Sequence, residues 1–533
     1  MVVLWGSNAR EAHPIFFHRV LKGIRNGAKC FVIDPRRTTT ADWADGHLAL
    51  RVGTDVELAH TVAREIIHAG LVNDAFVQNA TCDYEAFKAH VEPWTLERGE
   101  AVTGVPAALI RTFAHAYARA DRAQLCWTLG ITEHHNGVDN VLSLINLGLL
   151  TGHVGRPGSG INPLRGQNNV QGGGDMGALP HKFPGFQDVE DDEVRARYDA
   201  LWGCTVPPKK GWHLTEMFEA MRHDELQALL IIGENPAQSE ADVGHIKQLL
   251  TSREIVIVQD IFLTRTAELA DVVFPSSAAW VESEGTVTNS ERRVQRCRKA
   301  LDPPGEAKDD IWILAQLARR LGHDLGEPTP EELWDEMRLL SPMHHGMSYA
   351  RLEALDGIQW PCPDEDHPGS TFLHGRLWET PRGGRAAPFS CTVGDPPVDL
   401  LTEDYPIRLT TGRRLDEFNT GVQTGQYSSP MRKRETIDLS PQDCAELQIG
   451  EGESVRVTSR RASVLVLARM DPGLTPGLAF MTYHDPDDVD TNLLTIEATD
   501  PKAGTAEFKA TAIRVERVRH HGPPSDLHPS QPS

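Results

Sequence analysis

Residues 2–37 read VVLWGSNAREAHPIFFHRVLKGIRNGAKCFVIDPRR. Val2 to Trp5 is apolar and short, the pattern of a buried strand. Gly6-Ser7-Asn8 interrupts it, a helical spacing runs from about His13 to Asn26, and Gly27 closes that helix. Lys29 to Ile33 is a second strand, ending in Asp34-Pro35-Arg36-Arg37. Strand, helix and strand in this order form the unit of a doubly wound α/β sheet. Such sheets bind ligands at the carboxyl ends of their strands, where loop amides and helix N-termini face phosphates. The loops Gly6 to Glu11 and Asp34 to Arg36 therefore share one rim, with Asp34 where nucleotide-binding sheets carry an acid for a ribose or base. Either loop alone has an ordinary reading, because strand-to-helix turns commonly use Gly, Asn and Asp.

Further along, Ala44 to Leu50 leads into Arg51-Val52-Gly53-Thr54-Asp55, which opens a helix from about Val56 to Ala69 with Asp55 as N-cap. Helical patterns follow at Asn73 to Ala80, Tyr84 to Glu92 and Pro106 to Ala120, and a strand from Leu125 to Leu129 ends at Gly130. His134 and His135 lie on a loop with no Cys, Asp or Glu at ligand spacing. They read as solvent-facing or hydrogen-bonded, since a metal needs three or four converging ligands. A helix from Gly137 to Leu150 delivers the chain to its most polar glycine-rich run.

That run, Ile161 to Pro180, reads INPLRGQNNVQGGGDMGALP. It holds one cation, Arg165, then Gln167, Asn168, Asn169 and Gln171, and then three glycines that permit a close backbone approach to a ligand. The amides carry both donors and acceptors, and a guanidinium is a planar fork suited to a carboxylate. A small anion is the expected guest. A polar surface loop is the plainer reading of any single residue here, but the unbroken continuation into MGALP favours a pocket lining.

Two more strands, Leu226 to Ile232 and Ile255 to Asp260, carry the loops Gly233-Glu234-Asn235-Pro236 and Thr264 to Ala267, so a second Rossmann-like sheet is expected. Glu282 to Arg293, ESEGTVTNSERR, combines a glycine turn with charges and fits the start of a solvated helix as well as a site. Helices at Asp310 to Leu321 and Pro330 to Leu340 precede a loop-rich passage from Ser341 to Pro397. From Tyr405 onward, short strands near 407–410, 437–439, 454–459, 462–468, 477–481, 492–494 and 511–518 predict an all-β barrel. His520 to Ser533 reads as a disordered tail. The fold class is thus α/β, and the expected divisions are 1–166, 167–285, 286–400, 401–518 and the tail 519–533.

A net charge of −22 argues against nucleic acid as a partner. No run of about 18 apolar residues predicts a membrane span, and MVVLWGSNAREAHP lacks the basic start and small-residue cleavage site of an export signal, so a cytoplasmic location is expected. The eight cysteines show no CxxC and read as reduced core thiols rather than a disulfide framework or a zinc or iron–sulfur site.

The segment 162–172 resembles the NP(L/V)RGQNNVQG signature of molybdenum-containing formate dehydrogenases of the bis-pterin, dimethyl-sulfoxide-reductase-like family. The resemblance runs from Val2 to about Val518. It implies two Rossmann-like doubly wound domains and a C-terminal double-psi β-barrel that together hold two molybdopterin guanine dinucleotides and molybdenum or tungsten. By the same resemblance Arg165 orients formate for two-electron oxidation to CO2, and Gln167 and Asn169 lie beside the pterin. The loops WGSNAREAHP and IDPRRTTTADWAD correspond to guanosine-binding loops, which carries over Gly6, Asn8, Glu11, Asp34 and Arg36, with Gly53, Asp55 and Gly130 nearby. GENP and VQDIFLTRTAELADVVFPSS correspond to loops for the other dinucleotide, which carries over Gly233, Asn235, Pro236, Gln259, Asp260 and Thr264. From the barrel come Thr411, Gly412, Arg413, Tyr483, Asn492 and Lys509.

Family members begin with a cysteine run for a 4Fe–4S cluster, followed by a Cys or selenocysteine metal ligand beside a His. Neither precedes Val2 here. The resemblance therefore implies either a truncated reading frame or a split subunit completed by a separate N-terminal polypeptide, inactive without it. Its electron acceptors would be iron–sulfur or flavin subunits. A related bis-pterin enzyme of the nitrate-reductase kind and a non-catalytic pterin-binding subunit are the alternative functions.

Overall fold

Trp5 and Val3 point to one side of the first sheet and Leu4 to the other, and all three are fully buried. This double burial is what a parallel sheet with helices on both faces requires. In this computed structural model, which describes residues 1–380, 384–415, 419–420 and 434–518, five parallel strands form that sheet. They lie in the order Gly46–Leu48, Cys30–Ile33, Val2–Trp5, Gln124–Trp127, Gly160–Pro163. The order reverses between Val2–Trp5 and Gln124–Trp127, a switch point of the kind where such sheets open a crevice. One face packs Val3, Trp5, Phe31, Ile33, Leu125 and Trp127 against the helices Asp55–His68, Ala107–Arg119 and Gly137–Thr151. The other packs Leu4, Val32 and Cys126 against Phe17 and Val20 of the helix Pro14–Arg25.

The local expectations are corrected in three places. Thr54, not Asp55, precedes the helix Asp55–His68, and the Asp55 carboxylate instead accepts a 2.7 Å hydrogen bond from the Trp5 indole. The barrel strand expected at 492–494 is instead a turn of 3-10 helix, Thr491–Leu493. Residues 282–293 do not start a helix. Gly285–Thr288 and Arg293–Cys297 pair as an antiparallel hairpin, since Thr286, Val287 and Thr288 are β-formers and Arg292 turns the chain at φ 65°.

The second sheet has three parallel strands, in the order Val272–Pro275, Ile255–Asp260, Ala228–Ile232. Val256 and Val258 are buried on one face with Ala267 against them, while Leu230 and Ile232 on the opposite face are 39% and 42% exposed. The barrel closes with six strands, Ile407–Thr411, Leu478–Met481, Thr436–Leu439, Ser463–Met470, Ser454–Thr458 and Thr511–Arg517, with both parallel and antiparallel neighbours. Leu409, Ile437, Leu439, Val455, Val457 and Ile513 fill it. No helix among the described residues is long and apolar enough to cross a membrane. The tail expected at 519–533 lies outside the described residues, as do Phe418 and Gly421.

Candidate active site

At the switch point the backbones of Gly6 and Gly130 nearly touch. A Cβ on Gly130 would stand 2.6 Å from the Gly6 carbonyl oxygen, and one on Gly6 would stand 2.8 Å from the Gly130 carbonyl carbon, so only glycine permits the crossing. Gly130 N–H and the Thr128 hydroxyl both donate to the Gly6 carbonyl, at 3.2 and 2.6 Å. Above this crossing lies a cavity of about 450 Å³, walled on one side by the carboxyl edge of the first sheet and on the other by the barrel. Of the residues expected from sequence, the cavity collects Gly6, Asn8, Asp34, Arg36, Gly53, Asp55, Gly130, Gln167, Thr411, Gly412, Arg413, Tyr483 and Lys509.

The loop side chains are preset. Asp34 accepts from the Arg36 amide at 2.9 Å, an Asx turn that fixes the carboxylate at the strand end. Burial raises its pKa against the opposing pull of Arg36. Asn8 accepts from the Thr40 hydroxyl at 2.7 Å. Arg36 lays its guanidinium 3.5 Å above the Phe480 ring, tying the first unit to the barrel by a cation–π contact. Lys509 is buried. Burial opposes its charge, but Glu133, at 2.7 Å, holds its pKa above the ordinary lysine value. Its ammonium also donates to the Thr411 carbonyl at 3.2 Å.

Other expected residues sit elsewhere. Glu11 accepts from the Thr39 hydroxyl at 2.7 Å, behind the loop. Gly233, Asn235, Pro236, Gln259, Asp260 and Thr264 gather at the carboxyl edge of the second sheet. There the Asn235 side-chain oxygen accepts from the Thr266 amide and hydroxyl at 3.1 and 2.7 Å, and Gln259 donates to Asp310 at 2.6 Å. The Asp260 carboxylate accepts from the amide of Ile261, and the Thr264 hydroxyl from that of Ala267. Asn492 of the barrel donates to the Gln238 and Ser239 carbonyls beside them, while its own side-chain oxygen is enclosed without a partner.

Arg165 occupies the lip. Leu164 still donates to the Trp127 carbonyl at 2.9 Å, and the next residues, Gly166 and Gln167, line the cavity. The Arg165 side chain is exposed, and its guanidinium has no hydrogen-bond or ion-pair partner among the described residues. Asn169, at φ 59°, accepts from the Thr288 amide at 2.8 Å and packs its oxygen where a Cβ on Gly172 would stand only 2.0 Å away. The first glycine of the triplet thus serves the loop's own packing rather than the approach of a ligand.

The functional geometry least visible in the sequence is the seam behind the cavity. His134 and His135 are both buried and share Glu507 of the barrel, itself fully buried. His134 Nδ1 lies 3.2 Å from one carboxylate oxygen, and His135 Nδ1 and its amide lie 3.1 Å from the other. They are hydrogen-bonded and not solvent-facing. Burial disfavours the Glu507 charge, but the two histidines hold its pKa below the usual carboxylate range, and Glu507 raises both histidines. The depressed carboxylate stabilises the fold above about pH 4.3 and loses that contribution as pH falls through its folded value. The raised histidines stabilise it below about pH 6.5 and lose theirs as pH rises through their folded values. The seam is therefore tightest between about pH 4.3 and 6.5. Melting temperature should drop as pH is raised from this window toward 9, and the slope should flatten in Glu507→Gln; equal slopes would refute the linkage.

Comparison with known proteins now bears on this cavity. Residues 1–320 match the molybdopterin oxidoreductase family and residues 407–512 the molydopterin dinucleotide binding domain, the two regions that face each other across it. The chain belongs to the molybdopterin oxidoreductases. Within them it resembles formate dehydrogenase alpha subunits. It is 42% identical over 523 residues to the F420-dependent formate dehydrogenase 2 subunit alpha of Methanococcus maripaludis, a match covering 97% of this chain and 76% of that one. It is 36% identical to formate dehydrogenase H of Escherichia coli, with 97% and 73% covered. Acetylene hydratase from Pelobacter acetylenicus shares the fold, with a TM-score of 0.71 at 19% identity over 97% of this chain and 78% of that one.

The cavity fits the dinucleotide end of such a cofactor. The strand-end loops at Gly6 and Gly130 open onto it, Asp34 supplies an acceptor for a ribose or base, and Arg36 and Lys509 supply positive charge. Among the described residues, no group of three His, Cys, Asp or Glu stands ready to hold a metal directly.

Proposed function

We propose that this chain is the catalytic part of a formate dehydrogenase. It holds one molybdopterin guanine dinucleotide in the cavity and a second at the loops of Gly233 to Pro236 and Gln259 to Thr264, and it binds formate at Arg165. The observation that carries this reading is the exposed Arg165 guanidinium, free of protein partners among the described residues, at the lip of a cofactor-sized cavity.

Oxidation of formate breaks one C–H bond and yields CO2, a proton and two electrons. When bound, the pterin-held molybdenum or tungsten supplies the two-electron acceptor. Iron–sulfur or flavin partner subunits are the proposed onward carriers, and a 4Fe–4S cluster and metal ligand belong to polypeptide outside this sequence. The chain's own work is orientation. Two parallel N–H donors on the carboxylate leave the C–H bond pointing away from Arg165 and into the cavity, a fixed approach that lowers the barrier by proximity. The product carries no charge, so the guanidinium that grips formate releases CO2.

Formate-dependent reduction of an artificial electron acceptor by the assembled holoenzyme tests the reading. Turnover that disappears in Arg165→Ala while nucleotide content is kept supports it. Full turnover by that variant would remove Arg165 from the reaction.

A further inference from the structure

His13 stands where the turn of helix Ala9–Ala12 ends and the helix Pro14–Arg25 begins, with φ −136° and ψ 59°, outside the helical region. Its ring lines the cavity, and its Nε2 lies 3.0 Å from the main-chain oxygen of Arg165, across 152 residues of sequence. A carbonyl oxygen can only accept, so Nε2 carries the proton and donates. Nδ1 is then the bare nitrogen; it is enclosed and has no partner. Burial lowers the pKa of the ring; the hydrogen bond to the Arg165 carbonyl opposes this and Arg413 adds to it, and the net downward shift keeps this neutral tautomer in place at neutral pH. Nothing in the first loop needs a histidine here: its side chain makes no cap bond to either helix. Among the described residues, its one side-chain hydrogen bond leads to Arg165.

We infer that His13 is the positioning residue of the substrate arginine, its Nε2–H fixing the Arg165 backbone while its ring forms part of the wall against the cofactor. Arg165 follows the last residue of the edge strand Gly160–Pro163 by two positions, and Gly166 beside it has open space around its Cβ. Without His13 the loop has little to stop it turning, and an exposed arginine on a turning loop presents its fork in many directions. A cofactor that packs on the His13 ring also sets the arginine, so a filled cavity and an aligned substrate site arrive together.

This inference rests on the reading of Arg165 as the formate-binding residue, and the test separates the two. In the holoenzyme, His13→Leu should lower kcat/KM for formate about tenfold, the equivalent of one lost hydrogen bond, with guanine nucleotide per chain unchanged. His13→Gln, whose amide nitrogen reaches the position of Nε2, should recover most of it, whereas His13→Asn should not. In the Arg165→Lys background, His13→Leu should add little, because both substitutions then act on one interaction. Additive losses, or a His13→Leu enzyme with unchanged kinetics, would overturn the inference. If Arg165→Ala itself leaves the KM for formate untouched, the reading of Arg165 fails, and His13 is then judged by amide exchange at Gly166 and Gln167. Exchange faster in His13→Leu and restored in His13→Gln supports the positioning role; exchange equal in all three refutes it.

Discussion

Replacing Arg165 by Ala should lower kcat/KM for formate by roughly three orders of magnitude, with cofactor content unaltered. Each charge-assisted hydrogen bond contributes on the order of 1.5–3 kcal/mol, and a bidentate fork makes two. A loss of about 4 kcal/mol corresponds to about a thousandfold. The division between constants is also expected. Formate loses its charge as it becomes CO2, so the guanidinium binds the ground state at least as well as the product, and the loss of charge should raise KM. The loss of orientation should lower kcat. Arg165→Lys keeps the charge but not the planar fork, and it should recover KM more than kcat. Steady-state kinetics on the holoenzyme check both. The side chain is exposed and free of protein partners among the described residues, so neither substitution should lower the melting temperature measurably.

Glu507→Ala should be the most destabilising single substitution at the seam. It takes the shared carboxylate away from two buried histidines, leaving His134 its contact with the Gly130 carbonyl and His135 its contact with Asp395. Breaking a buried ion pair by deleting one partner costs about 3–5 kcal/mol, which for a unit of this size lowers the melting temperature by roughly 10 °C. Glu507→Gln keeps the shape and one acceptor and should cost less. Because Lys509 and His134 line the cavity from the same short segments, the Ala variant should also retain less guanine nucleotide after gel filtration. A melting temperature within a degree or two of wild type would show that the units are held together without Glu507, by contacts such as the Arg36–Phe480 stack and the Lys509–Glu133 pair.

The parts of this site that are contiguous in sequence were legible there. Val2 to Trp5 followed by Gly6, and Ile255 to Asp260 followed by its Thr264 loop, announce strand ends facing a ligand, and the six barrel strands are marked by turn residues between short apolar runs. Arg165 stands out because it is the one cation in a run of amides and glycines. What stayed hidden depends on pairs distant in the chain. Glu507 lies 372 residues from His135, and no local pattern relates them. Separation along the chain likewise hides Phe480 from Arg36 and Arg165 from His13. The hairpin at 285–297 was obscured for a different reason. Its charged residues, Glu282, Glu284, Glu291, Arg292 and Arg293, mask an alternating strand pattern that becomes evident only when Thr288 and Val294 are seen paired across the hairpin on its buried face.

The claim beneath all of this is that the cavity between the first sheet and the barrel holds one of two dinucleotides. Gly166 lines that cavity, and nothing lies within 4 Å of where its Cβ would be, so Gly166→Trp can block the space with little disturbance to the fold. The decisive measurement is guanine nucleotide released per chain on acid denaturation of the purified holoprotein. The account predicts two for the wild type and one for Gly166→Trp at an unchanged melting temperature; two in both proteins would contradict it.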